Sequence, residues 1–108
     1  MTPERQLARW EATGSVTDAT YEDAATLLLH AGFAHLRKTG HTHYWQHPLL
    51  DESSPCPTGI FSLTEPHGKG KKPNLYSSDV RKVVEVIRWV ERQQKESLQT
   101  PDAQNDNS

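Results

Sequence analysis

Three histidines recur at every second position in Gly40-His41-Thr42-His43-Tyr44-Trp45-Gln46-His47-Pro48. Side chains alternate across an extended backbone. On a strand, His41, His43, Trp45 and His47 therefore share one face, and Thr42, Tyr44 and Gln46 share the other. Imidazole titrates nearest neutral pH, so it both accepts and donates protons there. A strand that presents imidazoles beside an aromatic ring suits chemistry on a nucleotide or at a metal.

Cations are the second ingredient. The net charge is −2, but it is unevenly spread. Residues 1–29 carry two basic and five acidic side chains, residues 30–92 nine basic and six acidic, and residues 93–108 one basic and three acidic. The positive charge is densest in His67-Gly68-Lys69-Gly70-Lys71-Lys72 and in Arg81-Lys82. Such a surface favours a polyanion; the plainer reading is a solvated loop and helix face. The glycine spacing in 68–70 matches no nucleotide-binding fingerprint.

The elements that must position these groups follow from pattern. Residues 3–12 suit a short helix, with Trp10 docking on the domain. Thr17 or Thr20 caps a second helix, with Asp18, Glu22 and Asp23 near its positive end. Ala24, Ala25, Leu28 and Leu29 form its stripe, and Gly32 stops it. Residues 33–38 read as a first strand, with Ala34 and Leu36 on one face. Residues 41–47 form a second strand that Pro48 ends. Residues 49–59, with Pro55, Pro57 and Gly59, form a long connection. Residues 60–65 are a third strand with Phe61 and Leu63 inward. Ser77 or Ser78 caps the last helix, whose stripe is Val80, Val83, Val84, Ile87 and Val90. Residues 95–108 read as a disordered polar tail.

Helix, three antiparallel strands, helix is an α+β order, with two helices on one face of the sheet and the other face open. The expected organisation is an N-terminal extension at 1–16, one domain at 17–94, and the tail. Only 33% of the 108 residues are apolar and mean hydropathy is −0.81, so the core is small. There is no run of about 18 apolar residues to span a membrane. The segment Met1-Thr2-Pro3-Glu4-Arg5 is not a basic-then-apolar signal, and the expected location is the cytoplasm. Cys56 stands alone, which excludes an internal disulfide and a four-thiolate zinc site.

Four features in this order carry a resemblance. They are the helix Tyr21 to Leu29 ending in His30-Ala31-Gly32-Phe33; Gly40-His41-Thr42-His43 followed by aromatics and His47-Pro48; Leu63-Thr64-Glu65-Pro66-His67-Gly68-Lys69-Gly70; and Val80-Arg81-Lys82-Val83-Val84. Together they resemble the HicA-type toxins of bacterial type II toxin–antitoxin systems, an offshoot of the double-stranded-RNA-binding-domain fold. The resemblance covers residues 20–92. It implies an α-β-β-β-α domain and a metal-independent endoribonuclease, an mRNA interferase that halts translation without a cofactor. It also implies a HicB-like antitoxin partner that covers the active histidine. His43 matches the family's histidine, reached from Gly40 through His41 and Thr42. His41 stands where the family has Ser or Thr, and a second register places Thr42 at the histidine position.

RNA carries its own nucleophile, the 2′-OH beside the scissile phosphate. His43 is the candidate base, a step worth about 10²–10⁴-fold. His67 or His41 is the candidate acid. Lys69, Lys71, Lys72, Arg81 and Lys82 would offset phosphate charge. Trp45 or Tyr44 would stack on a base; only one can, since their faces oppose each other. Two other readings stand beside this one. A non-catalytic module of the same fold would hold RNA or protein, and His41, His43 and His67 would be three nitrogen ligands of a metal.

Overall fold

The computed structural model describes residues 2–13, 19–66 and 74–105. The elements run α1 (Pro3–Thr13), α2 (Tyr21–His30), β1 (Ala34–Thr39), β2 (Thr42–Gln46), β3 (Ile60–Thr64) and α3 (Ser77–Asn105). The chain is an α+β domain with one open antiparallel sheet, in the order β1-β2-β3. Among the described residues no helix is long and apolar enough to cross a membrane.

Local chemistry fixes both ends of α2. Thr20 is the cap: its hydroxyl accepts from Asp23 N–H at 3.2 Å, and the Asp23 carboxylate accepts from Thr20 N–H at 3.3 Å. This reciprocal pair satisfies two helix-start donors. At the other end Phe33 N–H reaches Leu28 O at 3.0 Å and Gly32 N–H reaches Leu29 O at 3.1 Å. These are the two bonds of a Schellman stop, which needs a left-handed residue between them. Gly32 supplies it at φ 94°. A Cβ there would also stand 3.2 Å from His47 Nε2, so glycine serves both conformation and contact.

β2 alternates as its sequence predicts. His43 and Trp45 are buried while Thr42, Tyr44 and Gln46 are half-buried or exposed. Across the ladder Trp45 faces Phe61 and His43 faces Leu63. This inner face packs with Leu27 and Leu28 of α2 and with Val80, Val83, Ile87 and Val90 of α3 in one core. Fully burying each such aliphatic side chain stabilises the fold by roughly 1.5–3 kcal/mol before entropy is counted. The helices thus cover the face that carries His43, so the candidate base does not stand on the open face of the sheet. Trp45 and Leu63 draw that face inward, and His43 goes with them.

β1 holds a bulge. His35 pairs with Trp45 and Arg37 with Tyr44, so Leu36 is an extra residue between them. The bulge resets the alternation. His35 and Lys38, three apart, would otherwise point to opposite faces. Here each sits opposite an inner-face residue, Trp45 and His43 respectively.

α1 forms where expected and docks through Trp10, with Leu7 beside it in the common core. Glu11 on α1 accepts from the Arg88 guanidinium of α3 at 3.0 Å. Neither Ser77 nor Ser78 caps α3. Asp79 and Val80 N–H both reach Tyr76 O, at 2.9 and 3.0 Å, so the serines lie within the first turn. The α3 backbone stays helical to Asn105 where a disordered tail from 95 was expected. Glu91 to Glu96 is rich in strong helix formers and extends the packed turns before it.

Candidate active site

Two of the six histidines meet at the inner edge of β1 and β2. His43 is 8% exposed. Its Nε2–H donates to Glu65 Oε1 in a short contact. Its Nδ1 lies 2.9 Å from His35 Nε2. The Tyr21 ring stacks on it at 4.1 Å and 23°. His35, on the exposed strand, sets its ring edge-on to Trp45 at 5.0 Å and 82°. Lys38 Nζ stands 3.8 Å from Glu65 Oε1.

Each member has a local cause. The bulge turns His35 and Lys38 inward together. Glu65 directly follows β3, and its N–H donates to His41 O at 2.7 Å, which ties it to the start of β2. Tyr21 opens α2 just after the Thr20 cap, so the helix start delivers its ring.

The carboxylate sets the protons. His43 holds Glu65 below the usual carboxylate range, with Lys38 and His41 adding to the effect against a smaller desolvation push. An ionised Glu65 only accepts, so His43 carries a proton on the nitrogen that faces it, Nε2. Its Nδ1 then accepts from His35 Nε2–H, which leaves the lone pair of His35 on Nδ1. The geometry thus joins His35, His43 and Glu65 in one hydrogen-bonded series, with the Tyr21 ring face against His43. Tyr21 itself stays neutral. Desolvation pushes its phenol up to about 12, with Trp45 opposing and the Glu65 charge reinforcing. The Trp45 indole N–H, buried near Tyr21, completes no hydrogen bond of its own.

His43 is therefore placed behind His35, away from solvent. Both ring nitrogens and one ring face are occupied, so its expected direct meeting with a substrate is corrected. Trp45 is 2% exposed and belongs to the core, so its expected role as an RNA platform is corrected too. Tyr44 holds the outer position instead, with the Arg37 guanidinium 4.7 Å above its ring. Arg81 and Lys82 are on α3 and line a depression with Trp10, Glu11 and Glu85, apart from the two histidines. His67, Lys69, Lys71 and Lys72 lie outside the described residues. Among the described residues no group of three or more His, Cys, Asp or Glu is arranged to hold a metal ion. The proposed set of His41, His43 and His67 has only His41 and His43 in view, and the nitrogens of His43 are engaged.

Residue types and spacing do not single out His35, Lys38, Glu65 or Tyr21. The signal that could have found Glu65 is its place directly after β3, the strand beside His43. No such signal exists for His35 and Lys38, because no residue type announces the bulge at Leu36.

His47 serves the fold. It is 6% exposed, its Nδ1 accepts from Leu49 N–H at 3.1 Å, and its ring meets Phe33 at 4.9 Å. Burial lowers its pKa from the ordinary 6.5, with the Ala31 backbone offsetting part of the shift. A native pKa below the unfolded one means the unfolded chain binds the proton first. His47 therefore weakens the fold as pH drops below the ordinary 6.5 toward its lowered native value. Thermal unfolding between pH 7.5 and 5.5, a window chosen about the histidine range, should show a falling Tm that flattens in His47→Gln. An equal slope in that variant would assign the loss to other groups.

No family model, curated protein or solved structure matches the chain. Function is therefore argued from the site itself.

Proposed function

We propose that this chain is a metal-independent endoribonuclease that cuts single-stranded mRNA, with His35 as the residue that meets the RNA. One observation carries the reading: a carboxylate, a buried imidazole and an exposed imidazole are hydrogen-bonded in series, with a lysine beside them. His35 Nδ1 takes the 2′-OH proton, the 2′-oxygen bonds to phosphorus, and the bond from phosphorus to the 5′-oxygen breaks. Lys38 offsets charge on the phosphorane. His41, whose backbone carbonyl accepts from Glu65 N–H, is the candidate donor to the leaving oxygen. The element order from α2 to α3 supports the HicA-type reading and its double-stranded-RNA-binding-domain-like fold. With that reading come a cytoplasmic toxin and a HicB-like antitoxin partner.

The test is purified protein incubated with single-stranded RNA in excess EDTA. The expected products carry a 2′,3′-cyclic phosphate and a 5′-hydroxyl. Intact RNA at stoichiometric protein, with binding retained, would favour the non-catalytic module of the same fold. Cleavage that EDTA abolishes would favour a metal site.

A further inference from the structure

The outer face of the sheet has no place in that reaction, yet it is chemically uniform. None of the three strands carries an acidic residue. On the outward positions of the three strands the one charged residue is Arg37. Arg37 and Tyr44 are directly opposed in the ladder, with the guanidinium stacked 4.7 Å from the ring centroid. Around them stand hydroxyl and amide groups: Thr42 and Thr64, 3.0 Å apart, with Ser62 and Gln46. All six residues of β1 are exposed along the sheet edge.

We infer that this face, centred on the Arg37–Tyr44 stack, is the track on which single-stranded RNA lies before it rounds the β1 edge to His35 and Lys38. The inference rests on the proposed nuclease reading for the destination of the strand, and on the outer face alone for its path. Charge complementarity names the occupant. A face that carries the Arg37 guanidinium among neutral hydrogen-bonding groups, with no acid on its strands, suits a phosphate backbone. A planar guanidinium over a phenol ring offers a stacking surface to an unpaired base, which a duplex keeps covered. A protein partner fits less well, because interface cores are apolar. The large exposed apolar side chains on or beside this face are Ile60 and the bulged Leu36. Arg37 and Lys38 are adjacent in sequence but opposed in direction, so one cation stands on each side of the edge the strand must cross.

The experiment measures anisotropy of a short fluorescein-labelled single-stranded RNA of mixed sequence, in a His35→Ala background that prevents turnover. Tyr44→Ala and Arg37→Ala are each expected to weaken binding at least about fivefold, as loss of a base stack does. Arg37→Ala should also reduce the salt slope by about one. Circular dichroism checks that both variants stay folded. Unchanged affinity in both folded variants would overturn the track, even if the wild type cleaves RNA. So would a hairpin RNA that binds as tightly and loses as much, or DNA of the same sequence that does so. Binding that depends on Tyr44 in a wild-type protein that never cleaves would keep the track and remove the nuclease.

Discussion

His35→Ala should lower RNA cleavage by at least about 100-fold while leaving the fold in place. The size follows from removing the proton acceptor from a general-base step. The intact fold follows from position: His35 is on an exposed edge strand, while the core is built by other residues. His43→Ala should also abolish cleavage, but with a loss of stability. That change removes the ring stacked on Tyr21 and leaves the Glu65 carboxylate facing an emptied site. Glu65→Gln should fall between, because the amide no longer dictates which His43 nitrogen carries the proton. Rates under single turnover, beside urea unfolding of each variant, separate these outcomes. A His35→Ala protein that cleaves as fast as the wild type would move the chemistry elsewhere.

Trp45→Ala should destabilise the protein by about 3–5 kcal/mol, the usual cost of emptying a buried aromatic site. For a domain near 100 residues each kcal/mol shifts Tm by about 4–8 °C, so the variant's Tm should fall by roughly 12–40 °C. The reason is packing: Trp45 faces Phe61 across the ladder, meets His35 edge-on and is buried in the shared core. Tyr44→Ala, one residue away on the outer face, should cost far less. Urea midpoints for the two variants test this. A Trp45→Ala protein as stable as the wild type, with weakened RNA affinity, would return the tryptophan to the binding role that its place in the sequence suggests.

Much of the frame is legible in the residues, for reasons that are local. Period-2 alternation puts His43 with Trp45 and opposite Tyr44, whatever covers them. Thr20 with Asp23 is a capping pair in any context, and Gly32 after a leucine-rich helix is a stop. The site is less legible because its decisive contacts are non-local. Which face of the sheet the helices cover depends on the sum of Trp45, Phe61 and Leu63 against three helices, and that sum buries His43. The bulge at Leu36 is a property of strand pairing, and it alone brings His35 and Lys38 to one side. Glu65 reaches His43 because the β2–β3 register sets Leu63 opposite His43 and the Glu65 N–H then bonds His41. Register is fixed by the whole sheet, so no short motif carries it.

The imidazole of His35, held by His43 and Glu65, is proposed as the proton acceptor in RNA cleavage. Chemical rescue tests it most directly. Free imidazole added to His35→Ala should restore cleavage of single-stranded RNA in EDTA, with a rate that rises with the neutral imidazole concentration. The same addition should do little for His43→Ala, whose missing ring was never the one in contact. A His35→Ala protein that imidazole leaves inactive, beside an active wild type, would contradict the claim.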